Sequence, residues 1–213
     1  FRPLLTATDK QLLRLFMEGL DSVTYWYRSG RLIPGILPFP AHALASSQYI
    51  DAITDLILNS RLPVGLITLG IQSVPETNVA DACTEGLLRL RRLGVLLHLL
   101  QFSGSTNQLQ WLEELQLEGL HLDMANIRQS ELPQELLSQL RQSKLSRTQI
   151  YASNLTLVKD LGSASIMQVD HCYGGLMMPP LSRHQMLQVN DSQIAKAIFS
   201  LHPHPQPNPK GDK

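Results

Sequence analysis

Glu18, Asp123, His98, His121 and the run His171-Cys172-Tyr173 are the side chains whose setting in this sequence suits chemistry. Glu18 and Asp123 each close a short apolar run, "LRLFME" and "LHLD". A carboxylate at a strand end can hold a hard cation or act as a base. The plain alternatives are an exposed rim residue for Glu18 and a loop or helix cap for Asp123. His98 and His121 sit among leucines, in "LLHLL" and "LHL", which suits a hydrogen-bonded core histidine or a buried base. His171 beside Cys172 invites a base–nucleophile pair, but adjacent residues on a strand point to opposite faces, so the two do not share one site. "FSGS" (Phe102 to Ser105) is either a plain loop or a set of amides facing a phosphate at the start of a helix. Met177, Met178 and the segment Pro179 to Leu181 are apolar and read as core or as a partner-binding edge.

The elements that must position these residues alternate from Leu62 onward between short apolar runs and longer amphipathic ones. "PVGLITLGI" reads as a strand, and "NVADACTEGLLRLRRLG" as a helix carrying Val79, Ala82, Cys83, Leu87, Leu90 and Leu93 on one stripe and closed by Gly94. "VLLHLLQF", "LHLDMANI", "QIYASNL" and "ASIMQV" read as strands. "TNQLQWLEELQLEG", "SELPQELLSQLRQS" with Ser130 as its cap, and "TLVKDLG" read as helices. Upstream, "SSQYIDAITDLILNS" is a helix with the stripe Ile50, Ile53, Ile57 and Ser46 or Ser47 at its cap. "YRSGRLIPGILPFP" reads as a Pro/Gly-punctuated loop, and "QLLRLFMEGL" fits a strand or the last turns of a helix. Repeated strand-then-helix units argue for a parallel sheet covered by helices, an open doubly wound sheet or a closed barrel.

The bulk properties narrow the partners. The chain has 213 residues, 43% of them hydrophobic, enough for one substantial core. Its 18 Lys plus Arg balance 18 Asp plus Glu, so no basic excess marks it for direct contact with nucleic acid. No apolar run is long enough to span a membrane, and no secretion signal is visible. Cys83 and Cys172 lack metal-ligand spacing and read as small buried hydrophobes. The sequence opens on Phe1 rather than Met, which suggests a domain cut from a longer protein or a processed chain. "HPHPQPNPKGDK", from His202, is expected to be an extended solvated tail.

In their order and spacing these segments resemble the EAL domain, the barrel family that hydrolyses cyclic di-GMP. "MEGL" (Met17 to Leu20) resembles the signature tripeptide and "GRLIP" the Gly-x-Ile-x-Pro turn after it. "LRRLGVLLHLLQFSGSTNQLQWL" resembles the helix, strand and Asp-Asp-Phe-Gly-Thr-Gly loop. "LEGLHLDMANI" resembles the Leu-Lys-Ile-Asp strand, "IYASNLT" the Ala-Glu-Gly-Val-Glu strand, and "CYGGLMMPPLSRHQM" the Gln-Gly-Tyr segment. The resemblance implies an α/β fold, a TIM-like (β/α) barrel, either complete or shortened by one strand–helix unit between Leu58 and Gly94. It implies one domain over residues 1–200 followed by a Pro-rich tail over 201–213.

The departures from the family pattern bear on function. A two-cation phosphodiesterase site needs several carboxylates at the C-terminal ends of barrel strands. This sequence has Leu100 and Gln101 at the paired aspartates, Ser153 at the glutamate, His121 at the lysine, Tyr173 at the glutamine, and Gly70 and Gln72 where another ligand belongs. The family's phosphate-contacting arginine falls at Ser22 or Tyr25, with Arg28 nearby. The expectation is therefore a catalytically inactive EAL-like regulatory module with no metal and no cofactor. Its partners would be a protein or other domains of the same polypeptide, and its place the cytoplasm, free or as part of a membrane-anchored protein. Cyclic di-GMP binding in the old cleft is the alternative, with Glu18, Gln101, His121, Asp123, Ser153 and Tyr173 as the candidate ligand-binding residues. An active phosphodiesterase with rearranged ligands is the remaining one.

Overall fold

The computed structural model describes residues 9–72, 80–128, 137, 147–190 and 192–193. The helix expected over "SELPQELLSQLRQS" and the tail from His202 lie outside the described residues, Leu137 excepted. The chain begins with helix α1 (Asp9–Arg28), then runs β1 (Gly35–Pro40), α2 (Ser47–Ser60), β2 (Ile67–Gln72), α3 (Ala80–Arg92) and β3 (Leu96–Leu99). It continues α4 (Thr106–Leu115), β4 (Gly119–Asp123), α5 (Met124–Ile127), β5 (Gln149–Ser153), α6 (Val158–Ile166), β6 (His171–Cys172) and α7 (Arg183–Gln188). The six strands form one parallel sheet in the order β1-β2-β3-β4-β5-β6, each paired to the next in sequence. That sequential order is the winding of a TIM-like barrel. Between Leu58 and Gly94 the described residues hold one strand–helix unit, β2 with α3.

The strands carry two different faces, because successive side chains alternate. Ile67, Leu69, Ile71, Leu97, Leu99, Leu120, Leu122, Ile150 and Ala152 are each at most 1% exposed and form the core with the helices. Helix α1 brings Leu12, Phe16, Leu20 and Val23 to that core, a stripe of helical spacing, with Phe16 edge-on to Phe39 of β1. Gly19 lets α1 lie close on β1: a Cβ there would stand 2.5 Å from Leu37 Cδ2. The opposite face carries Thr68, Gly70, Gln72, His98, His121, Asp123, Tyr151, Ser153 and His171, joined by the registers Gly70 to His98, His121 to Tyr151 to His171, and Asp123 to Ser153. This inner face is polar and aromatic where the outer one is aliphatic.

One open reading is settled and three expected elements are corrected. Of the strand and helix readings of "QLLRLFMEGL", the helix holds: the run lies within α1, at its start and middle rather than in its last turns. "GILPFP", read as loop, is strand β1; Pro38 and Pro40 hide the pattern, and proline is tolerated there because β1 is an edge strand. The strand expected over "LHLDMANI" stops at Asp123, whose side chain caps α5. "ASIMQV" is not a strand: α6 runs through Ile166, and the strand is His171–Cys172 instead. Asp160, Ala164 and Met167, buried at helical spacing, decide that segment. Asp160 also anchors it, accepting from the amides of Thr156 and Leu157 and from Arg128.

Helices α1 and α7 meet across the side of the sheet where β6 and β1 are unpaired. Tyr25 Oη lies 2.5 Å from His184 Nδ1, Trp26 Nε1 donates to the Arg183 carbonyl at 2.9 Å, and Arg31 donates to the Val189 carbonyl at 2.9 Å. Arg183 also stands over the Tyr25 ring, 5.1 Å from its centroid.

Candidate functional site at the C-terminal ends of the strands

In a parallel barrel the loops leaving the C-terminal strand ends build the site. Five of the six candidate residues arrive there or just beneath: Gln101 after β3, His121 and Asp123 on β4, Ser153 closing β5 and Tyr173 just past β6. Glu18 does not join them. It lies on α1, outside the sheet, with its side chain 58% exposed and bonded to Arg14. Gly19, which resembled the centre of the signature tripeptide, serves the packing of α1 on β1 instead. Ser22 donates to the Glu18 carbonyl, Tyr25 meets His184, and Arg28 ends α1 on the edge where the chain enters β1, opposite the mouth.

Asp123 accepts from Ala125 N at 2.8 Å, Asn126 N at 3.3 Å and Asn154 Nδ2 at 3.4 Å, all on Oδ1. Its capping role is thus realised, and Oδ2 carries none of these bonds. Ser153 donates to the Leu122 carbonyl at 3.1 Å. The Tyr173 hydroxyl stands 2.8 Å from His121 Nδ1, and His121 Nε2 stands 3.0 Å from His98 Nδ1. A hydrogen-bonded row Tyr173–His121–His98 therefore crosses the inner face of β3 to β6. Rings reinforce it: Tyr151 stacks on His121 at 4.5 Å and 8°, and on His171 at 4.7 Å and 27°.

Burial governs the titration of this row. Desolvation, then the neighbouring His171, lowers His98 to about 4, and desolvation, then His98, lowers His121 to about 3. Desolvation is also the main reason Tyr173 rises to about 12, with the nearby Ser153 hydroxyl opposing and Asp123 and Tyr151 adding. Near neutral pH all three are uncharged.

Leu100 is 4% exposed and leans inward onto Gly70, where its Cδ1 would be 2.7 Å from an added Cβ. The loop beyond it is tied down. Gln101 holds φ +56°, its carbonyl accepts from Gln108 Nε2 at 3.3 Å, and the Ser103 amide donates to Gln108 Oε1 at 2.8 Å. "FSGS" thus has two of its amides engaged, Phe102 N with the His121 carbonyl and Ser103 N with Gln108. Gln72, closing β2, is 2% exposed and neither atom of its side-chain amide has a partner.

The donor set does not suit a pair of divalent cations. Hard cations need several charged oxygens, and Asp123 is the one carboxylate among these strand-end residues. His98 and His121 are bonded to each other rather than aimed at a common point. Among the described residues no group of three His, Cys, Asp or Glu side chains is placed to hold a metal. Cys83 and Cys172 are free thiols; Cys83 donates to the Ala41 carbonyl and burial pushes it up to about 11. Nucleophilic use of Cys172 has no support, since His171 faces Tyr151 on the inner side while Cys172 packs with the outer core.

Sequence reading did not single out Tyr151 or the bond between His98 and His121. The alternation in "QIYAS" and "LLHLL" puts both on the inner face, but their meeting depends on strand register.

No family model and no curated protein matches the chain. Solved structures do. The PaMucR phosphodiesterase in its c-di-GMP complex has a TM-score of 0.71 at 17% identity, covering 83% of this chain and 74% of that one. The FimX EAL domain of Xanthomonas citri, in complex with c-diGMP, has a TM-score of 0.67 at 15% identity, covering 80% and 69%. An EAL domain protein from Listeria monocytogenes EGD-e has a TM-score of 0.65 at 19% identity, covering 87% and 74%. At these identities the likeness is one of fold: the chain has the TIM-like α/β architecture of EAL domains. No helix among the described residues is long and apolar enough to cross a membrane.

Proposed function

We propose that this chain is a catalytically inactive EAL-like regulatory module that acts through contacts with a protein partner or with other domains of its own polypeptide, in the cytoplasm. The unit is residues 1–200, with 201–213 as a tail. The observation that carries this reading is the state of the strand ends. Leu100 fills the inner face where a metal carboxylate would stand, and one Asp123 oxygen and the hydroxyl protons of Ser153 and Tyr173 are engaged within the protein itself. Such a mouth neither collects two cations nor activates a water.

A second reading, a cyclic di-GMP receptor, draws on the nucleotide complexes among the structural neighbours. Phosphates call for arginine, metal or free amides, and no lysine or arginine lies in residues 40–46, 72–79, 100–105, 154–157 or 173–182. Arg128, beyond β4, is held by both oxygens of Asp160. The test is incubation with cyclic di-GMP and Mg2+ or Mn2+, followed by chromatography for the linear dinucleotide and by titration calorimetry. No turnover is expected. Turnover would end the proposal, and binding without turnover would replace it by the receptor reading.

A further inference from the structure

Proton counting along the inner row gives the mouth a definite polarity. Ser153 has one hydroxyl proton and gives it to the Leu122 carbonyl. Tyr173 has one, and its hydroxyl stands 2.8 Å from His121 Nδ1. The phenol is the stronger acid and the imidazole the stronger base, so Tyr173 donates to His121 Nδ1, and His121 Nε2–H donates to His98 Nδ1. With both hydroxyl protons kept inside the protein, Tyr173 and Ser153 meet a ligand as acceptors. Beside them stands Asp123, paired in register with Ser153 and near enough to raise the Tyr173 hydroxyl, with Oδ2 outside its two capping bonds and its bond from Asn154.

Gln72 is the second observation. Its amide is 2% exposed and without a partner, on the inner face at the C-terminal end of β2 and in register with Pro40. One orphaned donor and one orphaned acceptor are what a peptide group satisfies. From β2 to β4 is two strand spacings, roughly 10 Å, which one extended basic side chain and its own peptide group can bridge.

We infer that the barrel mouth is a binding site for a lysine or arginine side chain presented on a partner peptide, the cation facing Asp123, Tyr173 and Ser153 and its peptide group facing Gln72. This rests on the protein-contact reading above and supplies the chemistry of that contact. A phosphate finds acceptors where it needs donors, so the same geometry disfavours the nucleotide.

The experiment is an NMR titration of the isotope-labelled chain with N-acetyl-lysine methylamide and N-acetyl-arginine methylamide. The neutral N-acetyl-norleucine methylamide, inorganic phosphate and cyclic di-GMP are titrated in parallel. The basic probes should shift the resonances of Asp123 to Asn126, Asn154 and Tyr173, with the norleucine probe at least about tenfold weaker, the ratio one charged contact gives. Asp123→Asn should abolish the difference while keeping the helix cap, because asparagine caps as well as aspartate. Equal response to lysine and norleucine probes in the unaltered chain overturns the inference whatever the variant does. So do shifts at the mouth by phosphate or cyclic di-GMP alone, or no shift by any probe. The inactive-module reading fails separately, on hydrolysis of cyclic di-GMP.

Discussion

His98 and His121 are uncharged because the inner face gives a proton no place to be solvated. A histidine whose folded pKa lies below its unfolded value near 6.5 stabilises the fold fully above that value and loses the contribution as pH falls toward the folded one. With His98 near 4 and His121 near 3, the vulnerable window runs from about pH 6.5 down to that range. Within it, each excluded proton tilts stability by up to about 1.4 kcal/mol per pH unit. Thermal unfolding followed by circular dichroism should show Tm falling steeply between pH 6.5 and 4. A flat profile would mean that the row is solvated. Gln72 is a separate liability. Removing its orphaned amide as Gln72→Met should raise stability by about 1 to 3 kcal/mol, read as a higher urea midpoint at unchanged m-value.

At the level of elements, α3 docks on the turn Ala41–Ala45 through Gly86, where an added Cβ would stand 2.8 Å from the Leu44 carbonyl and 2.8 Å from Ile50 Cδ1. Alanine there improves helix propensity by about 1 kcal/mol, yet the backbone carbonyl has no room to yield. Gly86→Ala should therefore destabilise by about 1 to 3 kcal/mol, measured by chemical denaturation; a stabilised variant would mean that α3 can move off the turn. The strands β2 to β5 and the helices α2 to α4 were legible because their apolar periodicity is long or uninterrupted. β1 was not, because prolines that suit an edge strand imitate a loop. The run Ala164 to Val169 is too short for its period to separate strand from helix, and a buried Asp160 settles it only in three dimensions. The same holds for the site. Leu100 and Gln101 could be read directly as missing acids, whereas Glu18 looked like a retained one until its helix placed it outside the sheet. The histidine–tyrosine row depends on registers between strands, which no single segment encodes.

For the whole molecule, the seam between α1 and α7 closes the side of the sheet that β1 and β6 leave unpaired. Trp26 contributes both a hydrogen bond to the Arg183 carbonyl and packing against the core. Trp26→Ala should cost about 2 to 4 kcal/mol, the upper part of that range belonging to full burial. Differential scanning calorimetry checks it, and a loss below about 0.5 kcal/mol, the level of a plain surface substitution, would mean that the seam carries no stability. The three bonds of that seam join residues 157 to 159 positions apart in the chain, while every strand pairs with the one next to it in sequence. Folding can therefore proceed as a zipper along the nascent chain, each unit docking on its predecessor at small loop-closure cost. The seam must wait for α7. It is the clasp that closes after the rest, and under native conditions the amides of α7 should be among the first to exchange with solvent.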